Sequence, residues 1–203
     1  RVGPLAVAAP LKGFIADVGR SRGGDMFFAH LLMPHYPYVY DANCRIRRPV
    51  GTWRLRTIDG HGANGPEDRR LRYGDYFEQV RCTLKKLDPL FDAMRQAGTF
   101  DDATIIVHGD HGSRITRIDP VERNKANMTD GDFVDSFSTL FAVKAPGNDA
   151  GTDPRMAPLT ELLRGTVFRR GGDMHLVTNP FVYLRAADES FVQVDLPELP
   201  LRP

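Results

Sequence analysis

Residues 105–113 read Ile105-Ile106-Val107-His108-Gly109-Asp110-His111-Gly112-Ser113. A β-branched run stops at glycine, then presents an acid and an imidazole side by side before a second glycine. β-Branched residues suit a pleated strand. Glycine lets the backbone turn sharply and lets a ligand approach closely. Asp110 and His111 are therefore expected just past the carboxyl end of a strand, where open α/β sheets gather their ligands. A carboxylate and an imidazole together are good donors to a divalent cation of intermediate softness. The competing reading is an ordinary surface turn, in which Asp and Gly are common.

Outward from this stretch, Ala103–Val107 reads as a buried strand. Residues 26–32, MFFAHLL, form an apolar run without polar alternation, which predicts a strand covered on both faces. The following MPHYPYVYD carries two prolines that forbid regular pairing. His35 lies between them, where a stiff backbone would aim its ring in one direction, ready to donate to an anionic oxygen or protonate a leaving group. Asp75 and Glu78 have capping-box spacing. Phe77, Val80, Leu84, Leu87, Phe91 and Met94 then draw one apolar stripe, and Gly98 follows as a stop signal. The pattern predicts one long helix. Residues 112–135 are polar and loop-like. Further strands are expected over 137–145 and 181–184, and a short helix over 155–165. The proline-rich tail, 195–203, is expected to be extended. The alternation predicts an α/β fold.

The chain of 203 residues is read as one domain, and 41% apolar content is enough for a core at that length. A net charge of +1 gives no bulk attraction to nucleic acid. No apolar run approaches the ~18 residues that span a bilayer. The opening RVGPLAVAAPLKGF has the flavour of a signal peptide, but Pro4 and Pro10 break its apolar core; it is read as an internal segment of a longer protein. Cys44 and Cys82 form no CxxC motif. A single bridge and two free thiols both stay open, free thiols being the plainer reading.

In order and wording, several segments resemble the sulfatase-type part of the alkaline phosphatase superfamily. They are FFAHLLMPHYPYVYD (27–41), YFEQVRCTLKKLDPLFDAMRQAGTFDDATIIVHGDHGS (76–113) and FSTLFAVKAPG (137–147), with a short helix after them. The resemblance is clearest over 26–165 and places the whole chain, 1–203, in the C-terminal part of a catalytic domain. It implies an alkaline phosphatase-like α/β fold, a mostly parallel sheet with helices on both faces that is incomplete in this chain, and metal-dependent cleavage of sulfate or phosphate esters through a covalent intermediate. Asp110 and His111 match the family's late metal-ligand pair. His35 matches the histidine that touches the sulfate or phosphate group. Imidazole favours zinc or manganese, with calcium or magnesium as the other possibilities.

The family's nucleophile and early acidic ligands belong to an N-terminal half that nothing here resembles, and no Cys-x-Pro-x-Arg segment is present. The resemblance therefore implies dependence on that half, or self-association through open strand edges. It also implies a periplasmic or membrane-associated setting. A phosphoethanolamine- or phosphoglycerol-type transferase at a membrane surface, with a membrane-anchored parent, is one alternative. A catalytically inactive binding module is another.

Arg114 stands three residues past His111 and could reach a substrate anion. Arg45, Arg47, Arg48, Arg54 and Arg56 could receive an acidic substrate or a lipid headgroup, against the plainer reading of a solvated face. Trp53 could stack on a sugar or simply pack. His30 is expected to be a core histidine and His108 to stand behind the site. His61 and His175 carry no assigned role. Asn127-Met128-Thr129 satisfies the glycosylation sequon.

Overall fold

The computed structural model describes residues 3–53, 64–153, 156–168 and 181–196. The chain divides into two compact units: Arg1–Ile105 with Lys144–Pro146, and Ile106–Val143 with Gly147–Pro203.

In the first unit a 3-10 turn, Gly3–Val7, leads into helix α1, Ala8–Val18. Pro10 falls in the first turn of α1, where a missing N–H breaks no helical bond. Helix α2, Pro66–Lys85, starts with Pro66 behind Gly65, and the Asp68 carboxylate accepts the Gly65 N–H at 3.1 Å. Helix α3, Asp88–Gln96, packs against α1. The single helix expected from the stripe is thus two helices, and the first begins nine residues before Asp75. Pro89 supplies the reason. It has no N–H to continue the α2 ladder, and it sits instead in the first turn of α3, where no N–H is needed.

The stripe itself is also corrected. Phe77 and Leu84 are 57% and 48% exposed, whereas α2 buries Arg72, Asp75, Gln79 and Cys82. The inward face of α2 is therefore mostly polar. Around it lie Val7, Leu11, Met33, Val39 and Tyr40, the buried centre of this unit, with Trp53 packed alongside.

Residues 26–32 form no strand: Met26 is 86% exposed and Phe28 83%. A strand covered on both faces needs neighbours on both edges, and this segment pairs with none among the described residues. His30 is likewise exposed rather than in a core.

Strand β1, Ile105–His108, and strand β2, Phe141–Lys144, form one two-stranded sheet. The second unit also holds helix α4, Asp130–Phe137, which begins in the stretch expected to be loop and ends on the first residue expected to be strand, and helix α5, Leu159–Phe168. Strands β3, Phe181–Arg185, and β4, Phe191–Asp195, make an antiparallel hairpin in register from Phe181↔Asp195 to Arg185↔Phe191. The alternation is regular in β3, and Val182, Leu184 and Val194 turn inward onto Phe133 of α4, while Val192 at the turn end of β4 stays exposed.

An alkaline phosphatase-like α/β fold with a mostly parallel sheet is contradicted. The described residues hold five α-helices and two two-stranded sheets, and no large parallel sheet among them. Short β-branched runs look alike in sequence whether they join a wide sheet or a two-stranded ribbon. Among the described residues no helix is long and apolar enough to cross a membrane. The tail beyond residue 196 lies outside the described residues.

Cys44 and Cys82 are joined in a disulfide with Cα atoms 5.0 Å apart, so the expectation of two free thiols is overturned. A tight turn explains the approach. Tyr40 bridges Ile46, and the Asp41 carboxylate accepts the Asn43 and Arg45 N–H groups at 2.8 and 2.9 Å. Cys44, at φ 61°, is thereby turned toward α2.

The crosslink closes a loop of sequence separation 38, which corresponds to roughly 4 kcal/mol of stabilisation. Reduction, or Cys82→Ser, should lower the unfolding free energy by about that amount in denaturant titrations. A midpoint unmoved by reduction would contradict the bridge.

Candidate functional site

β1 passes the chain into the turn that carries Asp110 and His111, and α4 receives that turn. The Gly109 N–H donates to Leu140 O at 3.0 Å, Gly112 N–H to Ser136 O at 3.1 Å, and Arg114 N–H to Asp135 O at 2.8 Å. Ser113 Oγ donates to Asp135 Oδ1 at 3.1 Å and accepts the Ile115 N–H at 3.1 Å. The two glycines have a specific cause. A Cβ on Gly109 would overlap Thr139 Oγ1, and one on Gly112 would overlap the Asp135 carbonyl and lie 2.9 Å from Ser138 O. What approaches these glycines closely is the chain's own segment 135–139, not a ligand.

The His111 ring is oriented by its own turn. Nδ1 lies 2.7 Å from the Gly112 carbonyl oxygen. A carbonyl only accepts, so Nδ1 carries the hydrogen and Nε2 is left as the lone-pair donor. Nε2 stands 3.6 Å from Asp110 Oδ2, with the Asp110 side chain 72% exposed. Two donors held tetrahedrally at about 2.1 Å from a zinc ion lie ~3.4 Å apart. The observed spacing therefore suits one edge of a cation site. A backbone carbonyl behind the ligating imidazole is the usual arrangement around bound metals. Among the described residues no group of three or more His, Cys, Asp or Glu is placed to enclose an ion. The pair supplies an edge and not a cage.

Arg114 adopts φ 55°, a left-handed conformation that costs a non-glycine residue roughly 1 kcal/mol. Its N–H bond to Asp135 O holds it there. Behind the turn, the buried Asp132 carboxylate gathers the segment onto the start of α4. It accepts from Thr129 N–H at 2.9 Å, Thr129 Oγ1 at 2.8 Å, Arg117 N–H at 2.8 Å and Arg117 Nη2 at 2.9 Å. Burial raises the Asp132 pKa, but these bonds together outweigh it and hold the carboxyl below its ordinary range.

His35 belongs to the first unit, whereas Asp110, His111 and Arg114 belong to the second. Its Nδ1–H donates to the Tyr36 carbonyl at 2.6 Å, and its ring stacks on Tyr36 with centroids 4.1 Å apart. Nε2 is again the ring's remaining polar atom. The peptide bonds before Pro34 and Pro37 are cis. The same segment buries Tyr38, whose hydroxyl is pushed well above its ordinary pKa first by burial and then by Tyr76.

Several other expectations resolve plainly. Arg47 pairs with Asp75 at 3.2 Å and with Glu78, so it anchors α2 rather than serving an open basic face. Trp53 packs on the core and donates Nε1–H to Arg47 O at 2.8 Å. His108 is exposed and donates Nδ1–H to Gly109 O at 2.9 Å. Thr129 of the sequon caps α4. Arg54, Arg56, His61 and His175 lie outside the described residues. Sequence reasoning missed Gln79, Asp132 and Asp135. For Gln79 the signal was present in the helical spacing Arg72, Asp75, Gln79, Cys82, which an apolar search passes over.

No family model, no curated protein and no solved structure matches this chain.

Gly112→Ala should destabilise the fold by about 2–3 kcal/mol, because the colliding atoms are backbone and cannot rotate aside. Gly74→Ala on exposed α2 meets nothing within 4 Å and should stabilise by about 0.5–1 kcal/mol. Equal denaturant midpoints for the two variants would refute the packing assigned to the turn.

The Asp132 contribution is complete above the unfolded carboxyl value near 3.8 and is lost as pH falls through the lower folded value. Stability should therefore drop as pH is lowered below about 4. In Asp132→Asn that part of the acid-limb slope should vanish, with a loss of about 2 kcal/mol at neutral pH. An unchanged slope in the variant would remove Asp132 from the account.

Proposed function

We propose that this chain contributes a metal edge and an anion-contacting histidine to the hydrolysis or transfer of sulfate or phosphate esters. The observation that carries the reading is the Asp110–His111 pair: Nε2 3.6 Å from Oδ2, with the His111 tautomer set by Gly112 O. The resemblance of 27–41 and 76–113 to sulfatase-type enzymes supports it. The reading rests on donor chemistry and not on a parallel sheet.

Asp110 and His111 would hold a divalent cation, zinc or manganese by preference. Once bound, such an ion polarises an ester oxygen. As the imidazolium, with Nδ1–H still held by the Tyr36 carbonyl, His35 would donate Nε2–H to a non-bridging oxygen of the ester or pass that proton to the leaving oxygen. Arg114 would add a guanidinium for the anion. Two donors alone bind a cation weakly. We therefore assign the remaining ligands and the nucleophile to a further segment of the gene product or to an associated copy. The disulfide supports an oxidising compartment, in keeping with a periplasmic or membrane-surface setting.

In the full gene product, Asp110→Ala and His111→Ala should each weaken zinc or manganese binding by at least about tenfold in equilibrium dialysis. Turnover of p-nitrophenyl phosphate or p-nitrophenyl sulfate should fall by about a hundredfold or more. Metal content and rate unchanged in both variants would overturn the proposal. Release of the phosphoryl group to water or to an added alcohol separates hydrolase from transferase.

A further inference from the structure

We infer that Gln79 is the positioning residue for His35: its buried side-chain amide holds the backbone on both sides of the imidazole. The inference rests on the proposed role of His35.

Gln79 is 0% exposed and lies on the inward face of α2. Its Oε1 accepts Val39 N–H at 2.7 Å and Tyr40 N–H at 3.1 Å. Its Nε2 donates to His35 O at 2.7 Å and Pro34 O at 3.1 Å, with Pro37 O at 3.4 Å. A primary amide has two donor hydrogens and two acceptor lone pairs. Both kinds are used up here. Reversing the amide would set oxygen against carbonyls and nitrogen against N–H groups, so one orientation alone satisfies the site.

No other residue reproduces this. Glutamate keeps the acceptor side but turns a carboxylate oxygen toward carbonyl oxygens. Methionine keeps the length and leaves the buried N–H and C=O groups of the strap unpaired. The strap has little alternative, since residues 34–39 belong to no strand, Tyr40 makes a single bridge to Ile46, and Pro34 and Pro37 carry no N–H. The Cys44–Cys82 bridge pins the far end of the same strap to the same helix, one turn beyond Gln79. Gln79 therefore acts on the His35 end and the disulfide on the other. The His35 carbonyl is fixed by the amide, and its Nδ1–H is aimed at the next carbonyl, Tyr36 O. A displaced strap would lose that alignment, and with it the tautomer and ring orientation in which Nε2 is the nitrogen that takes up and delivers the proton.

The readout is the histidine tautomer, seen by long-range 1H–15N correlation in the 15N-histidine-labelled full-length protein above the ring's titration. His35 should show hydrogen on Nδ1 in the wild type. In Gln79→Met its pattern should move to the Nε2–H form, which free imidazole favours, while His111 keeps its pattern and reports an intact second unit. Reduction of the disulfide should leave His35 unchanged, which separates aiming from general loosening. Turnover of p-nitrophenyl phosphate should fall about tenfold to a hundredfold in kcat, with little change in KM.

Should Gln79→Met fail to fold, Gln79→Glu carries the same comparison. A wild-type His35 protonated on Nε2, or a His35 pattern identical in the folded Gln79 variants, would overturn the inference. If His35→Ala leaves turnover intact while the tautomer shift is still seen, the functional reading of His35 fails and the positioning by Gln79 stands.

Discussion

The Gln79 amide is enclosed between α2 and the proline strap 34–40, and it pairs backbone groups that no sheet is there to pair. Buried N–H and C=O groups must find partners, and each one stranded costs about 1–3 kcal/mol. A segment interrupted by prolines cannot meet that demand with a ladder. One long polar side chain from a helix meets it for several residues at once. The same solution recurs in the other unit. There Asp132 takes the N–H groups of Arg117 and Thr129, and the Asp135 and Ser136 carbonyls take those of Arg114 and Gly112. Both turns that carry the candidate residues are thus held by groups borne on helices. The two-stranded sheets contribute one anchor, the bond from Gly109 to Leu140.

This explains what the sequence disclosed and what it hid. The strand ending at His108 and the turn after it were legible, because a β-branched run followed by Gly-Asp-His-Gly has few other conformations. The width of the sheet was not, since β1 looks the same whether it has one neighbour or several. MFFAHLL matched a doubly covered strand in composition, yet its covering is absent among the described residues and its side chains stand in solvent. The break at Pro89 was in plain view but masked by an apolar stripe that ran through it. The polar inward face of α2 was hidden for a deeper reason. Periodicity searches equate inward with apolar, and α2 faces a strap whose unmet needs are hydrogen bonds. The disulfide was undecidable from spacing, because the turn around Asp41 that brings Cys44 to α2 is tertiary information.

For function, the consequence is that donor direction and not fold topology carries the argument. His111 and His35 both spend Nδ1–H on a neighbouring carbonyl and keep Nε2 for other work. The glycines beside Asp110 and His111 let the turn nest against 135–139, which leaves the carboxylate outward. In the proposed reaction the pair would supply a cation edge and His35 an oriented imidazole.

The central claim is that both turns are clamped by buried hydrogen bonds and are not free loops. Amide hydrogen exchange at Val39, Tyr40, Gly112 and Arg114 addresses it most directly. The account predicts protection at Val39 and Tyr40 comparable to mid-α2, and at Gly112 and Arg114 comparable to α4. Exchange at those four amides at the rate of an unstructured peptide, with the helices still protected, would contradict it.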